Sequence, residues 1–315
     1  MNVLFVSIED LNDYVEPLGG HPDAATPNIA RFARRAAVFE RAYATAPVCG
    51  PSRNAVLFGQ APWRTGLYVN AHYWPLVHKP GNRLSLFGHA RDAGFATFGG
   101  GKIFMRSENG IDPDEWDEYS PVRHPGRQPV VSELARRGAL KPMQDYGPLP
   151  DDDMVVYDER NADWIAKQIT PGADRRFWAL GIFRPHMPFL SHRRYFDLIP
   201  ERPALPPGLD RDFNPLDESE LAHLPAEARA HFVRPKIGRT LHRAGEYRAF
   251  LRAYLATVAF ADDMFGRVMR RLEETGQDKN TVVVLWSDHG MQFGEKLSFS
   301  KFTLWERALR IPLMI

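Results

Sequence analysis

Three continuous apolar runs set the strongest limit on the fold of this chain. They lie at residues 3–8, 177–183 and 281–286 and contain few polar side chains. Short runs of this kind, without alternation, are typical of parallel strands that are covered on both faces. Helical patterns at residues 158–169 and 246–274 separate the runs. This order predicts an α/β fold with a doubly wound, mostly parallel sheet and helices on both of its faces.

Length and composition exclude several broad classes of protein. The chain has 315 residues, of which 44% are hydrophobic and 25% are charged, and its formal net charge is +1. These values are typical of a globular chain and give no reason to expect nucleic acid or an anionic membrane as a partner. We expect residues 1–315 to form one large α/β domain, although the length would also fit two small ones.

The single cysteine of the chain excludes an internal disulfide. No signal peptide is visible, because the first apolar run is too short and has the wrong flanks for one. The chain as given therefore looks cytoplasmic. A periplasmic or secreted protein whose leader had been removed would look the same.

That cysteine lies in the segment Cys49-Gly50-Pro51-Ser52-Arg53. Ser52 is a favourable N-cap, so we expect a helix that begins at Arg53. Cys49 would then lie beside free backbone N–H groups, and Arg53 would add a cation on the same helical face. Such surroundings favour a reactive thiolate. A buried, inert cysteine beside a turn is the alternative.

The pattern Cys-x-Pro-Ser-Arg resembles the maturation signature of the type I sulfatases, and residues 46–48 and 55–59 are similar to the family sequence around it. Within that family, the resemblance points to the iduronate-2-sulfatase-like branch. It implies an alkaline-phosphatase-like fold and the hydrolysis of a sulfate ester. In this branch the expected substrate is a sulfated saccharide. The resemblance also implies that a formylglycine-generating maturase oxidises Cys49 to Cα-formylglycine, an aldehyde.

Polar side chains follow several predicted strands at their carboxyl ends, and these ends meet at one edge of an open parallel sheet. The residues concerned are Glu9, Asp10, Lys102, His186, Asp288 and His289. A mostly carboxylate set suits Ca²⁺, with Mg²⁺ as the alternative, better than it suits a soft metal. The sequence therefore predicts a divalent metal site at this edge, unless the acids only cap turns.

Two further segments carry predictions about local structure. Residues 95–98 are expected to form a strand that is followed by the glycines at 99–101 and by Lys102. The glycines would let the backbone approach another group closely, and Lys102 would bring a positive charge there. Residues 38–44 are expected to form another strand, which leads into the cysteine segment.

The resemblance implies a role for each polar residue. One set would bind a calcium ion and consists of Glu9, Asp10, the modified Cys49, Asp288 and His289. A set of cations would hold the hydrated aldehyde and the sulfate oxygens, and consists of Arg53, Lys102 and Lys301. His186 would contact or protonate the leaving oxygen. One hydroxyl of the hydrate would attack sulfur, and the second would allow the carbonyl to reform with release of sulfate.

Two positions depart from the family pattern. Glu9 stands where the family has Asp, and Met105 stands where this branch commonly has His. The departures imply either a changed substrate or weaker catalysis. The aromatic segment 63–74 contains His72 and Trp74, which would bind a saccharide or an aryl group by stacking. Packing of this segment onto the domain is the alternative.

Two other functions stay open at this point. The first is a phosphonate monoester or phosphodiester hydrolase of the same superfamily, and the second is a non-catalytic binding homologue. The complete cysteine motif argues against the second. The chain ends inside an apolar run at residues 310–315. Because sulfatases of this type continue into a smaller C-terminal subdomain, we expect that subdomain to be missing here.

Overall fold

The computed structural model describes residues 1–70, 84–105, 113–209, 214, 217, 219–233 and 237–315. Its α-helices are α1 (Pro27–Ala33), α2 (Cys49–Phe58), α3 (Pro62–Thr65), α4 (Leu86–Asp92), α5 (Glu133–Arg136), α6 (Tyr157–Gln168), α7 (Arg193–Phe196), α8 (Ala226–Val233), α9 (Ile237–Ala244), α10 (Tyr247–Glu274) and α11 (Glu306–Leu309). Its β-strands are β1 (Asn2–Ile8), β2 (Ala42–Tyr43), β3 (Ala96–Gly101), β4 (Glu118–Tyr119), β5 (Tyr146–Pro148), β6 (Arg176–Ile182), β7 (Phe189–Ser191), β8 (Thr281–Ser287), β9 (Gln292–Phe293), β10 (Phe299–Ser300), β11 (Arg310–Ile311) and β12 (Leu313–Met314).

The central sheet has the strand order β12-β8-β1-β6-β3-β4. β1 pairs in parallel with both β6 and β8, and β3 pairs in parallel with β6 and β4. β12 adds an antiparallel edge next to β8. The predicted mostly parallel sheet is therefore confirmed. The strand predicted at residues 38–44 is wrong in extent, because only β2 forms there and it pairs with β11 outside this sheet.

The two faces of the sheet are covered by different helices. Leu4, Val6 and Ile8 point into a hydrophobic cluster that includes residues of α1, α6 and α10. Phe5 points to the opposite face, into a second cluster with Leu57 of α2 and with a residue of α4. This alternation along one strand places helices on both faces. The doubly wound arrangement predicted from the sequence is confirmed.

The strand predicted at residues 95–98 ends too early, because β3 continues through the glycines at 99–101. A Cβ on Gly99 would lie 2.4 Å from the ring of Tyr119. Gly101 has φ of +78°, and a Cβ there would lie 2.0 Å from the carbonyl oxygen of Gly181 in β6. The groups that these glycines approach closely are therefore in the neighbouring strands of the sheet.

The strand register brings the carboxyl ends of four strands together. Ile8 pairs with Ile182 in β6 and with Ser287 in β8, while Gly101 at the end of β3 pairs with Gly181. The residues that follow these strands therefore emerge at one edge of the sheet. In the described part of the chain, no helix combines the length and the apolar character that crossing a membrane requires.

Candidate active site

Cys49 is the first residue of α2, and Val48 before it is extended and offers no side-chain cap. The predicted helix start after Ser52 is therefore wrong. The N–H of Gly50, in the first turn, donates instead to Oδ1 of Asn70 at 2.8 Å. Because this acceptor comes from a distant part of the chain, the local sequence gave no sign of where the helix begins.

Two side chains of the first turns of α2 tie the helix to the strand ends. Ser52 Oγ donates to the backbone oxygen of Asp288. Arg53 is only 1% exposed. Its Nε donates to Asp288 Oδ2 at 2.9 Å, and its Nη1 donates to the carbonyl oxygens of Lys102 at 2.7 Å and Ile103 at 2.9 Å. The guanidinium group thus joins the chain beyond β3 to the chain beyond β8, behind the cysteine.

The Cys49 sulfur is buried between two basic side chains. Sγ lies 3.2 Å from His289 Nε2 and 3.1 Å from Lys301 Nζ. Lys301 Nζ also lies 2.8 Å from Asp10 Oδ1. The position held by the sulfur is therefore suited to an atom that carries or develops negative charge.

The carboxylate of Asp288 organises the backbone around it. Its Oδ1 accepts the N–H of Asp10 and the N–H of His289, both at 3.0 Å. Asp10 has φ of 55°, in the left-handed region that is unfavourable for a residue with a Cβ. Tyr254 of α10 donates its hydroxyl to the carbonyl oxygen of Asp10 at 2.9 Å. Asp288 and Tyr254 together hold Asp10 in this conformation.

Glu9 contacts two residues that follow other strands of the sheet. Its Oε1 forms an ion pair with Lys102, which follows β3. His186 Nε2, from the loop after β6, lies 4.0 Å from the same oxygen. Glu9 is fully buried, and His186 is partly buried. Glu9 and His186 therefore belong to the same cluster of side chains as Cys49.

Charge pairing decides the ionisation of these groups. Burial alone would raise the pKa of Glu9, but Lys102 and other cations outweigh it and lower that pKa to about 2. Burial would likewise raise the pKa values of Asp10 and Asp288, but nearby cations outweigh it and both pKa values are lowered. Burial would lower the pKa of His289, yet the surrounding anions, Asp288 foremost, raise it to about 9. The site therefore contains ionised carboxylates at neutral pH.

Two groups of side chains each gather their possible metal-ligand atoms within 4.8 Å of one another: Asp10, Cys49, Asp288 and His289, and Glu9, Asp10, Cys49 and His186. Glu9 Oε2 and Asp10 Oδ2 are buried without a hydrogen-bond partner among the described residues. Orphaned carboxylate oxygens are costly at such depth, and a cation would satisfy both. A donor set rich in hard oxygens suits Ca²⁺ or Mg²⁺, so the residues present fit a divalent metal.

The structure brings together all the strand-end residues that the sequence singled out, with Cys49, Arg53 and Lys301 beside them. His72 and Trp74, predicted to bind substrate, lie outside the described residues. Sequence reasoning assigned no role to Asp158. A carboxylate in the first turn of a helix that packs on the sheet is ordinarily a helix-end residue, and no local pattern distinguishes it from one.

The whole chain, residues 1–315, matches the family model described as Sulfatase. The chain belongs to the sulfatase family. It is 30% identical over 335 residues to a sulfatase of Formosa agariphila, with 99% of this chain and 63% of that protein covered. It is 26% identical over 338 residues to iduronate 2-sulfatase of Homo sapiens, with 100% of this chain and 59% of that protein covered. The chain thus spans about three fifths of the length of these relatives.

Solved structures support the same assignment at the level of the fold. The phosphonate monoester hydrolase of Agrobacterium radiobacter is similar with a TM-score of 0.74 at 18% identity, covering 99% of this chain and 67% of that chain. The alkaline-phosphatase-like fold predicted from the resemblance is confirmed. The predicted family is also confirmed, and iduronate 2-sulfatase is one of several kinds of sulfatase among the relatives.

Proposed function

We propose that this chain is the catalytic part of a sulfuric-ester hydrolase that uses a formylglycine made from Cys49 and a divalent metal. The observation that supports this most strongly is the position of the Cys49 sulfur. The sulfur lies at the start of α2, within 3.2 Å of both His289 and Lys301. It also lies within 4.8 Å of a carboxylate oxygen of Asp10 and one of Asp288. A residue whose only role was packing would not need two basic groups and two carboxylates around it.

Conversion of Cys49 would need an external oxidant. In the balanced step, water supplies the aldehyde oxygen, sulfur leaves as hydrogen sulfide, and the oxidant of the maturing enzyme accepts two electrons and two protons. Cys49 and Arg53 are each 1% exposed in the folded chain. The maturase would therefore have to reach this segment before the chain folds.

The metal would be Ca²⁺, with Mg²⁺ as the alternative, and Glu9, Asp10, Asp288 and His289 would hold it beside residue 49. When bound, it would neutralise sulfate oxygens and favour the deprotonated form of a hydroxyl group next to it. The orphaned oxygens of Glu9 and Asp10 support this part of the proposal. A chelator should abolish turnover, and added Ca²⁺ should restore it.

The cations of the site would hold the anionic substrate. Lys102 pairs with Glu9 and Lys301 pairs with Asp10. Each lysine could meet sulfate oxygens if a bound metal replaced it as the partner of its carboxylate. Arg53 keeps residue 49 in place through its fixed bonds to the strand ends. Charge that shifts onto the sulfate oxygens in the transition state would be stabilised by these groups without reorganisation.

His186 would serve the leaving oxygen. Its Nδ1 lies 2.5 Å from the carbonyl oxygen of Met187, a contact that assigns the Nδ1 proton to this bond. Nε2 is left on the side of Glu9, whose Oε1 is 4.0 Å away. With the Nδ1 proton held by Met187, Nε2 can donate a proton only when the ring is an imidazolium. Glu9 and Asp10 favour that charged form, although burial lowers the pKa of His186 overall. Replacement by alanine should slow esters of poor leaving groups more than activated aryl sulfates, because a good leaving group needs little protonation.

A sulfated saccharide is the substrate class that we favour, because the human relative is named for iduronate. The aromatic segment with His72 and Trp74 would supply a stacking surface for a sugar ring. A phosphonate monoester or phosphodiester hydrolase is the second candidate, favoured by the similarity to the Agrobacterium radiobacter enzyme. The cations of the site would hold phosphoryl oxygens as readily as sulfate oxygens.

The two candidates separate in a comparison of kcat/KM on matched aryl esters. The protein, co-expressed with a formylglycine-generating maturase and loaded with Ca²⁺, would be given an aryl sulfate, an aryl phosphonate monoester and an aryl phosphodiester with the same leaving group. A sulfatase should favour the sulfate. A preference for either phosphorus ester would overturn the sulfatase proposal in favour of the second candidate.

A further inference from the structure

Asp158 lies in the first turn of α6, and its carboxylate is buried against the loop that follows β6. Oδ1 accepts the N–H of Phe183 at 2.6 Å, and Oδ2 accepts the N–H of Arg184 at 3.1 Å. These are the first two N–H groups beyond β6. One carboxylate therefore fixes the direction in which the chain leaves the strand.

Phe183 passes this constraint to His186. The N–H of His186 donates to the carbonyl oxygen of Phe183 at 2.9 Å. The two rings pack with their centroids 4.8 Å apart and an interplanar angle of 35°. Lys102 Nζ lies 5.4 Å from the centroid of the same phenyl ring. The residue that Asp158 holds is thus the one against which the imidazole of His186 rests.

Arg184 closes the far side of the same loop. Its side chain is buried, with Nε donating to the carbonyl oxygen of Leu190 at 2.8 Å and Nη2 donating to Gln128 Oε1 at 2.9 Å. Burial raises the pKa of Asp158 to about 6 although Arg184 opposes the shift. The carboxylate is therefore largely ionised at neutral pH, and its N–H contacts are charge-assisted.

A role for Asp158 in capping its own helix does not explain this geometry. Neither of its oxygens is used by α6, because both accept N–H groups of the distant loop. The N–H of Val156, just before the first turn of α6, donates instead to Glu159 Oε2 at 3.1 Å. The helix end thus has its own carboxylate, and Asp158 is left for the loop.

We propose that Asp158 is a positioning residue for His186: it holds the loop after β6 so that the imidazole Nε2 faces the leaving oxygen of the substrate. The proposal rests on the function proposed above for its catalytic consequence. Its structural part, the placement of the His186 ring, stands independently of that function and can be measured without substrate.

The first test is the NMR spectrum of the histidine side chains in the full, metal-loaded chain labelled at histidine nitrogen. The chain has 11 histidines, and His186→Ala identifies the signals of His186. Asp158→Asn should shift the His186 imidazole signals, because one of the two N–H contacts meets an amide NH₂ in place of an oxygen. Asp163→Asn makes the same change at an exposed site of α6 and should leave them unchanged. Unchanged His186 signals in Asp158→Asn would overturn the proposal.

The second test is a double-mutant cycle on kcat/KM. Asp158→Asn should cost about tenfold to a hundredfold on a sulfate ester with a poor leaving group, since a displacement of about 1 Å can cost that much, and it should cost less on an activated aryl sulfate. In the His186→Ala background the same change should add little. Losses that multiply in the double variant, or that are equal for both leaving groups, would show that Asp158 does not act through His186.

Gln128→Ala provides a variant that keeps the buried carboxylate. It removes the outer bond to Arg184 and the local bonds of Gln128 to the carbonyl oxygens of Pro125 and Gly126. It should therefore fold even if Asp158→Asn does not, and it should shift the His186 signals in a milder form. Absence of any shift would contradict the proposal. If the wild-type chain hydrolyses no sulfate ester, the function proposed above fails, and the NMR comparison alone still decides whether Asp158 places the His186 ring.

Discussion

Replacing Arg53 with lysine is expected to destabilise the folded chain strongly, although the charge is kept. The guanidinium group is 1% exposed and reaches three strand ends or loops from one side chain. Nε bonds to Asp288, and Nη1 bonds to two carbonyl oxygens and to Ser7 Oγ at 3.3 Å. A lysine has one nitrogen and cannot meet acceptors on both sides of a planar fork.

The size of the effect follows from the contacts that are lost. A hydrogen bond to a charged group contributes about 1.5–3 kcal/mol. Lysine can keep either the contact with Asp288 or the contacts with the two carbonyl oxygens, so at least one buried acceptor group loses its donor. We therefore expect Arg53→Lys to lower the free energy of unfolding by at least the cost of one such contact, about 1.5–3 kcal/mol.

Urea denaturation followed by tryptophan fluorescence would measure this difference. The wild type and variants should be produced without a maturase, so that residue 49 is the same thiol in all of them. Arg35→Lys is the matched control, because Arg35 is 48% exposed and lies 3.4 Å from Glu273. It should change stability by less than about 0.5 kcal/mol. A loss below about 1 kcal/mol in Arg53→Lys would refute the reasoning that the guanidinium fork holds the strand ends together.

Three further changes test other parts of the structure. Gly101→Ala should lower the free energy of unfolding by more than about 3 kcal/mol, because the new Cβ would lie 2.0 Å from the carbonyl oxygen of Gly181 at φ of +78°. A loss of less than about 1 kcal/mol in urea denaturation would contradict the packing role. Burial raises the pKa of Asp262 to about 6, so the folded chain binds more protons than the unfolded chain between about pH 4 and pH 6, and stability should fall by up to about 3 kcal/mol as pH rises through that window. Asp262→Asn should remove the share of this dependence that Asp262 contributes, and the exposed Asp163→Asn should not. Equal pH profiles for the wild type and Asp262→Asn in urea denaturation would contradict the assignment. Glu9→Gln should weaken Ca²⁺ binding in calorimetry by about tenfold or more, whereas unchanged affinity would remove Glu9 from the ligand set.

The sequence predicted the parts of the fold that depend on local pattern. The apolar runs that became β1, β6 and β8 are long enough to be read as buried strands, and the polar residues after them needed only the rule that parallel strand ends meet at one edge. Glu9, Asp10, Asp288 and His289 were found in this way, and they do lie together. The resemblance to sulfatases added the motif around Cys49 and therefore the roles expected for the cluster.

What the sequence did not predict depends on contacts between distant residues. The start of α2 is served by Asn70 and not by a residue before the helix, so local capping preferences pointed to the wrong position. The glycines before Lys102 were expected to follow the strand and not to form part of it, because nothing in their own segment shows that Tyr119 and Gly181 pack against them. Asp158 escaped notice for the same reason, since its partners are 25 and 26 residues away.

Sulfate release by the wild-type chain and by Cys49→Ala, measured side by side, tests the central claim most directly. Both proteins would be co-expressed with a formylglycine-generating maturase, loaded with Ca²⁺ and given the same sulfate esters, with mass spectrometry confirming that residue 49 is an aldehyde in the wild type. The account predicts sulfate release by the wild type and none by Cys49→Ala, with both proteins unfolding at similar urea concentrations because little core volume changes. Full activity in Cys49→Ala, or no sulfate release by a fully converted wild type, would contradict it.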